Sequence, residues 1–347
     1  MSETKKIGVI GSGSFGSVIA NIISYNDNVL IYSRKDNTIE AINEKKYWKN
    51  VHFNSNVTAT NDLERIAKEC DIIFPTVPSS NFKNMIIDFA KYLKPYHILI
   101  HGTKGFELKN FDKNKLKGNE AVNANDIHTM SEIILHQTSV KKVGCISGPN
   151  LAKEIANGLP AGTVVASKFD EVIHAGKTAL KSPKFMVYGS YDIRGTELSG
   201  VLKNVLAIAA GASEELQLGV NARSLLIARG VGEIIRVGKI LGANTESFLG
   251  LAGIGDIIAT CSSNTSRNFK VGQLLAQGKK LDEVLSLLDE TAEGIATTRI
   301  VNAISQRYDL RTPIFNGLNE ILNGRTTVPQ ALEMLMRYPF QFDVDFI

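Results

Sequence analysis

The chain has 347 residues, 44% of them hydrophobic and 21% charged, which excludes wholesale disorder and is long enough for two domains. Its net charge of +4 is spread along the whole length, without the clustered basic face and interleaved aromatics of a nucleic-acid reader, so no nucleic-acid partner is expected. Cys70, Cys145 and Cys261 are too scattered for a disulfide framework or a zinc site, and the histidines lack ligand spacing, so no metal is expected.

The polar start MSETKK runs into a short apolar segment, so neither a signal peptide nor a membrane span is expected, and the reading is a reduced, cytoplasmic protein. Residues 6–10 (KIGVI) read as a buried strand and 14–24 as an apolar helix. Strand patterns recur at 28–33, 70–77, 96–101 and 141–147, with helical patterns at 37–46, 61–68, 81–93 and 150–157. This alternation predicts an α/β fold, an N-terminal Rossmann-like doubly wound sheet. From about residue 190 the patterns turn almost wholly helical, which places an all-helical C-terminal domain after the sheet.

Between the first strand and helix lies GSGSFG, in which Gly11, Gly13 and Gly16 match the spacing G-x-G-x-x-G. Gly11 would permit the tight turn, Gly13 the close approach of a pyrophosphate, and Gly16 the packing of helix on strand. The helix N-terminus would add free N–H groups and positive potential. Residues 1–190 are therefore read as a dinucleotide-binding domain and 191–347 as a helical substrate and catalytic domain. The second strand ends in Tyr32-Ser33-Arg34-Lys35, without the acid that would bind the ribose 2′-OH of NAD. NADP is favoured over NAD on that ground, with Arg34 on the 2′-phosphate; stacking on adenine or plain solvent exposure is the alternative for Arg34.

Further strand ends carry Val77-Pro78-Ser79, Lys104 in HGTKG, and Gly148-Pro149-Asn150. The carboxyl edge of such a sheet is where ligands bind. For Asn150 alone, capping of the following helix is sufficient reason.

The helical half opens with TELSGVLKNVLAIAAG, apolar almost all round and interrupted by Lys203 and Asn204. Lysine is rarely buried, and Gly200, Ala207, Ala210 and Gly211 on its face leave space beside the amine. Burial disfavours the ammonium, and a lysine so tuned can exchange a proton with a carbonyl oxygen during hydride transfer. The alternative is an amine that snorkels to solvent. Asp256, set among Gly, Ile and Ala, could charge-pair with this lysine. Ser266, Arg267 and Asn268 stand at a helix start suited to a phosphate, although taken alone they are better explained by capping through Ser266 or Asn268 with Arg267 exposed.

Together these segments resemble the soluble NAD(P)-dependent glycerol-3-phosphate dehydrogenase family: IGSGSFG, VPS, TKG, SGPNLAKE and GLPAG, then LKNVLAIAAG, NARSLLIARG, GLAGIGDIIATC, SRN and EG, in order. The resemblance implies reversible reduction of dihydroxyacetone phosphate to sn-glycerol 3-phosphate, supplying glycerophospholipid synthesis, and a homodimer. It implies Lys203 as general acid/base, with Lys104, Asn204 and Asp256 around the reacting oxygen. It implies substrate contacts from Gly148, Asn150, Ser266, Arg267 and Asn268, and cofactor contacts from Ser14, Phe15, Arg34, Ala152, Thr291 and Glu293, with Lys104 and Arg267 serving both ligands. The chain departs from many bacterial members in having Asn150 where they have Thr, and residues 339–347 carry no interpretable motif.

Overall fold

A computed structural model describes residues 6–109, 111–112, 115–288 and 292–339. The chain divides into two compact units, residues 1–104 with 129–197, and residues 105–128 with 198–347.

The first unit begins with β1 (Lys6–Ile10), α1 (Ser14–Ile23), β2 (Val29–Tyr32), α2 (Asp36–Asn43), a hairpin of β3 (Tyr47–Trp48) and β4 (Val51–His52), and β5 (Val57–Thr60). It continues through α3 (Leu63–Glu69), β6 (Cys70–Pro75), α4 (Ser79–Ala90) and β7 (Ile98–His101). The short strands β8 (Glu107–Leu108) and β9 (Ile127–His128) follow and pair antiparallel within the second unit. The first unit resumes with α5 (Met130–Gln137), β10 (Lys142–Ser147), α6 (Ala152–Ala156), β11 (Ala161–Ser167), α7 (Asp170–Leu180) and β12 (Phe185–Ser190).

The sheet runs β12-β11-β10-β7-β6-β1-β2-β5, parallel throughout except for β10 against β11. From β5 to β10 this is the doubly wound dinucleotide-binding order, and it reverses at β1, where the strand ends open a crevice. Its central strands read as apolar runs because both faces are covered. One face packs Val18, Ile19, Ile22 and Ile23 of α1 with Val172 and Leu180 of α7; the other packs Ile66 of α3, Phe82, Ile86 and Phe89 of α4 and Ile133 of α5.

The second unit contains the rest of α8 (Ile193–Glu215), within which the division falls, and α9 (Gly219–Ile240), α10 (Glu246–Leu249), α11 (Asp256–Cys261) and α12 (Arg267–Ala276). It closes with α13 (Leu281–Ser286), α14 (Glu293–Arg307), α15 (Pro313–Leu322) and α16 (Val328–Met336). Its core gathers α8, α9, α12, α14 and α15 around Leu202, Leu206, Ile234, Phe269, Val301 and Phe315, joined by Phe106, Leu108 and Ile127 from the 105–128 segment. Helices α8 and α12 meet backbone to backbone: a Cβ on Gly211 would lie 1.9 Å from the Phe269 carbonyl oxygen, and one on Gly272 would lie 1.8 Å from that of Ile208.

The α/β class followed by helices stands as the sequence pattern predicts. Strands β5, β11 and β12 and helices α5 and α7 carry no expectation from the sequence. β5 is only four residues, VTAT, without a long apolar run, and half of β12 is exposed. Among the described residues, no helix is long and apolar enough to cross a membrane.

Candidate functional site

In the first unit, the glycine loop has the geometry its spacing requires. Gly11 sits at φ +116°, a conformation that side-chain-bearing residues rarely adopt, and its N–H donates to the Tyr32 carbonyl at 3.2 Å. Gly16 packs so closely that a Cβ there would lie 1.9 Å from the Gly11 carbonyl oxygen. Gly13, the residue before α1, is exposed, and a Cβ there would meet nothing within 4 Å. A backbone open at Gly13, on a helix N-terminus, fits a pyrophosphate. Half-buried Ser14 starts α1, and the Phe15 ring lies against Gly102, where a Cβ would stand 2.6 Å from Cε1.

Around this loop the neighbouring strand ends are tied down. Thr76 Oγ1 donates to the carbonyls of Ile10 and Gly11 at 3.1 and 3.2 Å. Ser33, buried after β2, accepts from Ser12 Oγ at 2.9 Å, and Arg34 beside it is exposed. Thr103 donates to the Val77 carbonyl at 2.7 Å, which seats half-buried Lys104 at the strand edge.

Gly148 follows β10 at φ +153°, with the backbone of Gly162 and Thr163 so near that a Cβ would meet the Gly162 oxygen at 2.8 Å. Asn150 does not cap the next helix: Leu151 holds that position, and α6 has no side-chain cap. Instead Asn150 Nδ2 donates to Thr163 Oγ1 at 2.9 Å, and its buried Oδ1 has no protein partner. An orphaned acceptor of that kind fits a ligand's hydroxyl. Ala152 is half-buried in α6.

In the second unit, Lys203 is buried on α8, 6% exposed. Its Nζ donates to Asp256 Oδ1 at 2.7 Å and also to Thr260 Oγ1, and Thr260 in turn donates to the same carboxylate oxygen at 3.3 Å. The amine therefore does not snorkel. Asp256 enters through a π-helical turn, Leu251–Gly255, marked by the Gly255 N–H donating to the Gly250 carbonyl at 3.3 Å. Such turns recur at functional sites because they redirect the next residue. A carboxylate beside a buried amine favours the ammonium and opposes the penalty of burial, and Asp256 is the charge partner expected from the sequence. Of the small residues on the Lys203 face, Gly211 is filled by the α12 backbone and serves helix packing.

Asn204 and Asn268 are both buried and converge at Gly294. The Gly294 N–H donates to Asn268 Oδ1 at 3.0 Å, and a Cβ on Gly294 would lie 2.8 Å from the Asn204 carbonyl oxygen. The turn after Lys203, the start of α12 and half-buried Glu293 at the start of α14 are thereby brought together. Ser266 is the cap of α12, accepting from the Phe269 N–H at 3.4 Å, while Arg267 is exposed in the first turn. Thr291 lies outside the described residues. Near Lys203 and Asp256, burial pushes the Cys261 thiol up to about 12.

Sequence reasoning missed Thr76, Thr260 and a buried pair in the first unit. His101 Nε2 stands 2.9 Å from Glu197 Oε1, which also accepts from the Ser131 N–H at 2.9 Å. Burial pushes Glu197 up, but the His101 charge and the hydrogen bonds around it outweigh burial and hold it below the usual carboxylate value. Thr260 was legible, since it follows Asp256 by one helical turn.

The family described as NAD-dependent glycerol-3-phosphate dehydrogenase N-terminus matches residues 6–173, and its C-terminus family matches residues 192–333. The chain is similar to the glycerol-3-phosphate dehydrogenase [NAD(P)+] of Pseudomonas paraeruginosa, 39% identical over 100% of this chain and 98% of that one. The crystal structure of glycerol-3-phosphate dehydrogenase from Coxiella burnetii superposes with a TM-score of 0.83 at 29% identity, covering 96% of this chain and 99% of that one. The glycerol-3-phosphate dehydrogenase structure from Saccharomyces cerevisiae gives 0.81 at 26% identity, with coverage of 96% and 99%.

Proposed function

The chain belongs to the NAD-dependent glycerol-3-phosphate dehydrogenase family, and from that premise we propose how its residues divide the reaction. The enzyme is an oxidoreductase that interconverts dihydroxyacetone phosphate and sn-glycerol 3-phosphate with NAD or NADP. The observation that carries the assignment of roles is the buried Lys203 amine held by Asp256 and Thr260.

The nicotinamide, when bound, supplies or accepts the hydride at the substrate's second carbon. Reduction of that carbonyl leaves an alkoxide, which needs a proton at once, and Lys203 Nζ donates it; in reverse the neutral amine removes it. Asp256 keeps the amine charged in the reducing direction, and Thr260 fixes its direction. Lys104 and Asn204 complete the surroundings of the reacting oxygen. Arg267, whose planar fork of donors matches a phosphate, anchors the substrate's far end with Ser266 and Asn268, while Gly148 and the orphaned oxygen of Asn150 receive its hydroxyl side. Holding a non-reacting phosphate fixes the carbonyl for attack.

Gly11, Gly13, Gly16, Ser14 and Phe15 hold the dinucleotide, joined by Arg34, Lys104, Ala152, Arg267, Thr291 and Glu293. On this reading residues 1–190 form the dinucleotide-binding domain and 191–347 the catalytic one. Supply of glycerophospholipid synthesis, a cytoplasmic location and a homodimeric state belong to the same proposal and rest on the family resemblance; sedimentation of the purified chain tests the last.

The test is loss of NADPH or NADH absorbance on adding dihydroxyacetone phosphate. Faster consumption of a 2-keto acid would replace this substrate with a carboxylate one. Binding of dinucleotide without any oxidation would leave a sensor in place of an enzyme.

A further inference from the structure

We propose that Trp48 is a positioning residue for dinucleotide binding, holding the peptide between Ser12 and Gly13 so that its N–H faces the phosphates; this rests on the glycine loop being the dinucleotide site. The indole Nε1 donates to the Ser12 carbonyl at 2.8 Å, a carbonyl that Ser17 Oγ reaches only at 3.4 Å. In a trans peptide the carbonyl and the following N–H point in opposite directions. A Ser12 oxygen held toward the indole therefore aims the Gly13 N–H away from it, on the residue whose Cβ position is open.

The neighbouring carbonyls are treated alike. The Ile10 and Gly11 oxygens accept from Thr76, so three successive carbonyls of the loop are engaged by donors of the protein. A peptide flip at Ser12 would instead present an oxygen to the pyrophosphate. That exchange of a donor for an acceptor beside an anion is what the indole opposes.

The hairpin carrying Trp48 is built to hold it. Lys49 and Asn50 form a two-residue turn with φ +51° and +62°, the conformation that suits a tight hairpin. Trp48 pairs with Val51 across it, and strand alternation sends Trp48 inward while Tyr47 stays outside against His52. Val51 and Phe53 are in the core, and the Phe53 N–H closes on the Lys46 carbonyl at 2.8 Å.

Trp48→Phe keeps the ring bulk and removes the donor. It should raise the Kd and KM for NADH and NADPH about five- to tenfold, the usual worth of one hydrogen bond. The kcat and the KM for dihydroxyacetone phosphate should stay unchanged. A folded variant with wild-type cofactor affinity overturns the proposal, as does a kcat that falls while cofactor affinity holds. A second measurement does not depend on the variant. The chain has a single Trp, so a 15N-labelled sample gives one indole N–H resonance, and its exchange with solvent should be slowed. Exchange as fast as that of free indole overturns the hydrogen bond itself. Wild-type protein that binds neither NADH nor NADPH overturns the dinucleotide reading, and this proposal with it.

Discussion

The two units build their candidate sites from different materials. The first uses backbone: three glycines, a helix N-terminus, and carbonyls turned inward onto Thr76 and Trp48. The second uses side chains: an amine, a carboxylate and a hydroxyl buried on two helices. A backbone site tolerates little change in shape but does not depend on the chemistry of its side chains. A side-chain site has the reverse character, since its ion pair sits in an apolar core where losing one partner strands the other.

Lys203→Ala should separate them most sharply. Turnover should fall at least about a hundredfold, the worth of a positioned acid/base, while NADH or NADPH binding to the glycine loop persists. Near-normal turnover removes Lys203 from the mechanism. Because Asp256 would lose its buried partner, the melting temperature should fall as well, and calorimetry distinguishes that loss from the kinetic one.

The backbone site is probed by a pair of variants. Gly16→Ala forces a methyl against the Gly11 carbonyl and should cost about 1–3 kcal/mol of stability or more, read by denaturant unfolding. Gly13→Ala meets open space, so stability should change by no more than about 0.5 kcal/mol while dinucleotide affinity drops. Equal stability for the two variants would refute the assigned glycine roles.

Arg34→Ala should raise the KM for NADPH about tenfold and leave that for NADH unchanged, if a charge-assisted contact to the 2′-phosphate exists. Equal effects on both would mean that Arg34 stacks on the adenine or faces solvent.

Two buried glutamates extend the contrast to pH. Glu197 in the first unit lies below its ordinary value beside His101, so its contribution is present above about 4.5 and is lost as pH falls through its lowered value. Glu233 in the second unit goes the other way. Burial pushes it up to about 8, against the N–H groups of Ile314 and Phe315, which donate to it at 2.8 and 3.0 Å at the start of α15. Between its unfolded value of 4.5 and about 8 the folded chain holds a proton that the unfolded chain has released, so stability should fall as pH rises through that window. Glu233→Gln should flatten the decline, as measured by unfolding midpoints across the range. An unchanged slope would mean that another group carries it.

Features that depend on local order along the chain are legible in the residues alone. KIGVI-GSGSFG is contiguous, so strand, turn and helix start follow from the spacing of three glycines, because each φ and each close approach is set within a few residues. An apolar helix interrupted by Lys203 was equally legible, since burial of a helix shows in its periodicity. Packing settled what meets across long separations: that Lys203 takes the pairing with Asp256 and does not snorkel, that Asn204 and Asn268 converge at Gly294, that Asn150 binds Thr163 without capping a helix, and that Trp48 reaches Ser12. Those contacts are fixed by how helices and strands stack. Hydrogen bonds between groups 13 to 57 residues apart leave no periodic trace in the residues that make them.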